Sequence, residues 1–257
     1  MVGVKSMKTI TMAIQKGGTG KTSTAVTLAA ELAKDGRTLL IDADPQGNAT
    51  TWIAGNSIQF ELADVLNEKQ KAKDVLQATC VKNLYIIPTA GLGGDLREYQ
   101  KTKAPGAPYA IADMLETLAP HFDYCVIDTS PSFDPLNESV FMASNEILAV
   151  LQFNEFSKDG FAIFTDNLRD AKKRLHIPQD RALQTKIVLN AKDDRIKQQQ
   201  DVLLTLQQLE KDGFTLHLIP VDQAFNKAQS MHVAIQDLAT TKRETLQAIA
   251  DIAKAVK

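Results

Sequence analysis

The run Lys16-Gly17-Gly18-Thr19-Gly20-Lys21-Thr22 holds the residue types needed to grip a chain of phosphates. Glycines let backbone N–H groups turn inward where a side chain would obstruct. A helix opening at Ser23 adds unpaired N–H groups and the positive end of its dipole. In that arrangement Lys21 bridges the β- and γ-phosphates, Thr22 offers its hydroxyl to Mg2+, and Ser23 reaches the α-phosphate. The strict pattern has glycine where this chain has Gln15, and a second lysine, Lys16, stands ahead of the glycine pair. From the residues alone Lys16 reads either as a solvated loop lysine or as one serving a second molecule's phosphates.

Two further runs end in acids. Leu39-Leu40-Ile41-Asp42-Ala43-Asp44 is apolar up to two aspartates spaced i, i+2, so both side chains point to one face of a strand. Pro45 and Gly47 then break the strand. Tyr124-Cys125-Val126-Ile127-Asp128 is a second apolar run ending in an acid, placed to hold Mg2+ through its water shell. In an open α/β sheet ligands sit at the carboxyl ends of strands, which puts these acids beside the phosphates.

The elements that must carry these groups follow from periodicity. Strands are expected at Thr9–Gln15, Thr38–Asp42, Leu84–Pro88, Tyr124–Asp128, Ile147–Gln152, Lys186–Asn190 and Thr215–Ile219. Most read as unbroken apolar runs, the pattern of parallel strands buried on both faces. Helices are expected at Ser23–Lys34, Ala110–Leu118, Pro135–Ala143, Asp159–Leu175, Gln198–Lys211 and Lys242–Val256. The alternation predicts an α/β fold: a doubly wound, mostly parallel sheet with helices on both faces. No linker divides the chain, and Lys101–Pro108 reads as a loop, so 1–257 is expected to form a single domain. Met1–Ser6 has no assigned element, and Met7 reads as an alternative start.

Composition narrows the function classes. With 29 Lys plus Arg against 31 Asp plus Glu, the formal charge is -2, which argues against a strongly basic nucleic-acid coat but allows a local basic face. Hydrophobic residues at 44% supply a full core and exclude a disordered chain. No apolar run approaches the roughly 18 residues of a membrane span. Cys80 and Cys125 form no metal-ligand spacing, and so few cysteines fit a reducing cytosol.

The loop K-G-G-x-G-K-[ST] resembles the deviant Walker A motif of the ParA/MinD family of P-loop ATPases. Asp42-Ala43-Asp44-Pro45-Gln46-Gly47-Asn48-Ala49-Thr50 resembles that family's switch I motif, and Asp128-Thr129-Ser130-Pro131-Ser132 its D-T-P-P-S switch II motif, with Ser130 replacing the first proline. The resemblance implies an ATP-sandwich homodimer in which Lys16 reaches the partner's nucleotide. It also implies that Asp44 orients the attacking water and that Asp42 supports the metal site. Val150-Leu151-Gln152 with Phe156 and Gly160 resembles a segment of the family's dimer face, and Asn190 and Pro220 stand where it builds an adenine pocket.

The likeness is nearest to Soj-like ParA proteins. It implies a slow, partner-stimulated, Mg2+-dependent ATP hydrolase that binds double-stranded DNA nonspecifically and partitions a plasmid or chromosome with a ParB-type activator. That work would be cytoplasmic, on the nucleoid. DNA contacts would be to phosphates and salt-sensitive. Between Lys158 and Lys197 ten basic residues face six acidic ones, with Arg195 where the family carries a DNA-contacting arginine. The family's I-P-R-N-x-R segment reads Ile219-Pro220-Val221-Asp222-Gln223-Ala224, lacking both arginines, and leaves Lys227, Lys242 and Arg243 as substitutes. A MinD-like membrane ATPase is the alternative. The stripe Leu246, Ile249, Ile252, Val256 in the last helix is better explained by packing on the core than by a membrane. A ParA-like ATPase positioning a cargo other than DNA is a further alternative.

Overall fold

The computed structural model describes residues 7–54, 57–153, 158–174, 184–192, 200–211 and 213–257. In chain order the first half contains β1 (Lys8–Ala13), α1 (Lys21–Leu32), β2 (Thr38–Ala43), α2 (Asn48–Ile53), α3 (Leu62–Leu66), α4 (Ala72–Val75), β3 (Gln77–Ala78), β4 (Leu84–Ile87), α5 (Leu96–Thr102) and α6 (Ala110–Leu118). The second half contains β5 (Tyr124–Thr129), α7 (Pro135–Ala143), β6 (Glu146–Gln152), α8 (Lys158–Arg174), β7 (Gln184–Lys192), α9 (Gln200–Lys211), β8 (Leu216–Pro220), α10 (Ala224–Met231) and α11 (Arg243–Ala255).

The strands form one eight-stranded sheet in the order β3-β4-β2-β5-β1-β6-β7-β8. Neighbours run parallel except β3, which lies antiparallel on β4. Each expected strand appears, within a residue or two at its ends. The two-residue β3 and the short helices α2 to α5 and α10 were not expected, because segments so short carry no resolvable period. Lys101–Pro108, expected as a loop, instead starts with the end of α5 and continues into a 3-10 turn at Ala104–Gly106.

Strand alternation splits the core. Leu40 and Val126 face α1 and α11, packing with Leu28, Leu32, Ile249, Ile252 and Val256. Leu39, Ile41 and Ile127 face the other way, onto Ile111, Leu115 and Leu118 of α6 and Leu136 and Val140 of α7. The stripe on α11 is therefore core: Ile249, Ile252 and Val256 are fully buried.

At the sheet end away from the expected phosphate site, Glu146 is fully buried at the start of β6. Lys8 lies 3.4 Å from its carboxylate, and Lys186 on β7 pairs with it directly. Lys186 Nζ also donates to Ala255 O at 2.5 Å, tying α11 to the sheet. Removing one partner of a buried ion cluster costs roughly 3–5 kcal/mol. Lys186→Met, with Lys8 remaining, is expected to lose about 3 kcal/mol in urea unfolding, the lower end of that range. A loss below about 1 kcal/mol, the scale of an exposed pair, would contradict it.

Candidate nucleotide site

Register assembles the site. Asp42 on β2 pairs with Asp128 on β5, and Asp128 pairs with Met12 on β1. The two acids thus lie level, one residue before β1 ends and the chain enters the 16–22 loop. Thr129 Oγ1 donates to Met12 O at 2.6 Å, pinning β5 to β1 beside Asp128.

In the loop, Gly18 (φ 76) and Gly20 (φ 93) are left-handed, a conformation costly for other residues. Gly20 also caps α1. A Cβ on Gly20 would lie 1.9 Å from Asn190 Nδ2, whereas one on Gly17 or Gly18 would meet nothing within 4 Å. The loop is therefore closed on the Asn190 side and open at Gly17 and Gly18. Asn190 Nδ2 donates to Thr19 O at 3.1 Å and holds the loop from behind.

Lys21 is only 6% exposed. Its Nζ donates to Lys16 O at 2.9 Å. Burial lowers its pKa, and the charges of Asp128 and Asp44 oppose that shift. Lys16 is exposed, and Thr22 and Ser23 are half-buried in the first turn of α1.

The acids differ in their surroundings. Asp42 Oδ2 accepts from Thr50 N and Thr50 Oγ1, both at 2.8 Å. The Thr50 hydroxyl in turn accepts from Thr89 N at 2.9 Å. Asp42 is thus tied to the start of α2, and burial pushes its pKa up to about 7 against the pull of the Thr50 bonds. Asp128 is fully buried, and among the described residues only the Thr22 hydroxyl approaches its carboxylate as a donor. Burial, then the charge of Asp42, raises its pKa well above the usual carboxylate range, with Thr22 and Lys21 easing the charge. Asp44 is 8% exposed; its Oδ1 accepts from Gln46 N at 2.9 Å and its carbonyl from Gly47 N at 2.9 Å. Gly47 (φ 67) has no room for a Cβ, which would lie 2.7 Å from Thr89 O.

These elements enclose a cavity of about 440 Å3. Residues 17–23 form one wall, and Asp44, Gln46, Asn48, Trp52, Pro131 and Gln229 form the others. The donor set fits a magnesium–nucleotide complex. The loop is open where phosphates would lie, Lys21 is within it, and Asp128 offers a buried carboxylate beside the Thr22 hydroxyl.

Other expected residues fall elsewhere. Pro220 does not line this cavity; it lines a larger one of about 1450 Å3, together with Lys227, Met231 and Lys242. Asn190 lines neither of the two. Lys242 has a structural use: its Nζ donates to Val221 O at 2.6 Å and its N–H to Asp222 Oδ2 at 2.9 Å. Asp222 also accepts from Ala224 N at 2.9 Å and Thr245 Oγ1 at 2.8 Å, joining the starts of α10 and α11. Lys227 and Arg243 are exposed. On α8, Arg169 pairs with Asp166 at 2.8 Å, Lys173 with Asp170 at 3.9 Å, and Arg174 with Glu138. Arg195 and Phe156 lie outside the described residues, and Gly160 falls in α8.

Thr50, Trp52 and Gln229 were not singled out from sequence. Thr50 closes the switch I run and Trp52 stands two residues beyond it, so proximity was a usable signal. Gln229 arrives from α10, the turn after which is fastened to α2 by a Trp52 Nε1–Val233 O bond of 2.8 Å, and nothing local marks it.

Comparison with known proteins agrees with this geometry. The profile of a family described as AAA domain matches residues 7–181. The chain is 34% identical over 173 residues to the sporulation initiation inhibitor protein Soj of Bacillus subtilis, covering 66% of this chain and 68% of that protein. The apo structure of McdA from Cyanothece superposes with a TM-score of 0.82 at 18% identity, covering 97% of this chain and 99% of that one. A putative plasmid partition protein, BB_S35 of Borrelia burgdorferi, solved with AMPPNP, superposes with a TM-score of 0.79 at 22% identity, covering 97% and 98%.

Proposed function

Since the chain belongs to the AAA-domain family of ParA/Soj-like partition P-loop ATPases, we propose that it hydrolyses ATP slowly, with Mg2+. On this reading it forms an ATP-sandwich homodimer, binds double-stranded DNA without sequence preference, and is released by a ParB-type activator. Residues 1–257 act as one ATPase unit, working in the cytoplasm on the nucleoid.

The observation that carries the ATPase reading is Asp128. A fully buried carboxylate eased, among the described residues, only by the Thr22 hydroxyl and the charge of Lys21 is expensive unless a further cation completes it. Its charge and that of Lys21 act on each other, and Lys21 and Thr22 line the cavity.

The roles divide as follows. Backbone N–H groups of Gly17 to Thr22 bind the phosphates, and Lys21 neutralises the β- and γ-oxygens. Bound Mg2+ supplies further charge neutralisation on the phosphates, with Thr22 and Asp128 as its holders and Asp42 supporting from its Thr50 anchor. Asp44, fixed by the Gln46 and Gly47 N–H groups, orients the attacking water. Lys16 adds positive charge to the partner copy's nucleotide. Asn190 braces the loop, and Pro220 belongs to the base side, in the larger cavity.

The DNA surface is read as phosphate-directed lysine and arginine, with Arg195, Lys227 and Arg243 as its candidates and Lys242 reduced to a supporting part. The test is DNA retention with and without ATP, repeated at rising salt and with liposomes. ATP-dependent retention that falls with salt is expected. Liposome binding in place of DNA binding would favour the MinD-like alternative. Binding to neither would favour a cargo other than DNA.

A further inference from the structure

The segment after Asp128 departs from the family motif at Ser130, where a rigid proline is replaced by a residue with a free φ and a hydroxyl. In the structure this segment is held by a side chain from α7. Asn137 is fully buried. Its Nδ2 lies 3.2 Å from Ser130 O, 3.1 Å from Ser130 Oγ, 2.7 Å from Ser132 O and 3.2 Å from Ser132 Oγ. Two of these acceptors are carbonyls, which fixes the amide with its nitrogen inward. The two serine hydroxyls bond each other at 2.8 Å. Ser132 also bonds Asp134, which caps α7 through Leu136 N at 2.9 Å and Asn137 N at 3.1 Å. Between the two serines sits Pro131, a wall of the nucleotide cavity.

We infer that Asn137 is a positioning residue for hydrolysis: its amide holds the Ser130–Ser132 turn so that Asp128 and Pro131 stay aligned on the phosphates. The hydrogen-bonded clamp does here what a proline ring does by covalent restraint. It touches no nucleotide itself. Loosening it leaves the phosphate grip of residues 16–22 intact and blurs the geometry of the transition state, where small displacements are costly. The inference rests on the ATPase reading above.

The test uses the full chain and separates binding from turnover. Trp52, the single tryptophan, lines the cavity and reports nucleotide binding by its fluorescence. Asn137→Ala is expected to lower kcat about tenfold, with KM and the fluorescence Kd for ATP changed less than about twofold. Ser130→Ala removes one hydroxyl at little risk to folding; a fall of about threefold in kcat with unchanged Kd is expected. A folded Asn137→Ala protein with wild-type kcat, or one whose affinity falls in step with kcat, overturns the inference. If Asn137→Ala does not fold, an unchanged kcat in Ser130→Ala overturns it. Failure of the underlying reading looks different: the wild-type protein would then show no ATP hydrolysis at all.

Discussion

Lys21→Ala is expected to weaken ATP binding at least about 100-fold, roughly 2.8 kcal/mol, as read by Trp52 fluorescence. Lys21 is nearly buried, and Asp128 and Asp44 act on its charge. Without it, the triphosphate loses the buried cation of the loop, while Asp44 remains on the cavity wall. Charges at about 4 Å interact by about 4 kcal/mol at an effective dielectric of 20, so the loss is not offset by backbone N–H groups alone. Alanine also strips the Lys16 carbonyl of its donor. Lys21→Arg should not rescue binding, because a forked guanidinium does not fit a point-charge site between carbonyl and acids. Retained tight binding in the alanine variant would refute the loop assignment.

Asp44→Ala is expected to cut kcat about 10^2–10^4-fold, the range for a positioned general base or water-orienting group. ATP affinity should stay within a few-fold, since Asp44 lies across the cavity from the glycine loop. Its carboxylate is placed by the Gln46 N–H, and its carbonyl by the Gly47 N–H at the entrance to α2. Alanine keeps the carbonyl contact and removes only the carboxylate. The ATP-bound form should therefore accumulate. Single-turnover hydrolysis checks this, and undiminished turnover would remove Asp44 from its role.

Much of this site was legible because strand ends are written locally. An unbroken apolar run stopped by an acid gives the strand and its end to within one residue, since β2 and β5 each run one residue past the acid, and Asp42 and Asp128 fell into register as that pattern required. The glycine loop was legible for the same reason: its composition has few other uses. The division of labour between the acids was not legible. Asp42 is spent on Thr50, whereas Asp128 stands with the Thr22 hydroxyl and the charge of Lys21. That difference depends on where α2 folds back, which six residues of sequence do not reveal. The Trp52–Val233 bond joins positions 181 apart, Gln229 reaches the cavity from the same distant stretch, and no periodicity extends that far. Ser130 read as a lost proline; its replacement by the Asn137 amide is visible only in space. Lys242 read as a spare cation, yet its ammonium is held by Val221 O.

The central claim is that ATP is clasped between two copies of this chain, with Lys16 of each serving the other's nucleotide. Light scattering of Asp44→Ala with ATP and Mg2+ tests it most directly, compared with the same variant lacking Lys16 (Lys16→Ala, Asp44→Ala). The account predicts a doubling of mass with ATP in the first protein and a single chain in the second, with ATP still bound by both. A single chain in the first protein at saturating ATP, or an undiminished dimer without Lys16, would contradict it.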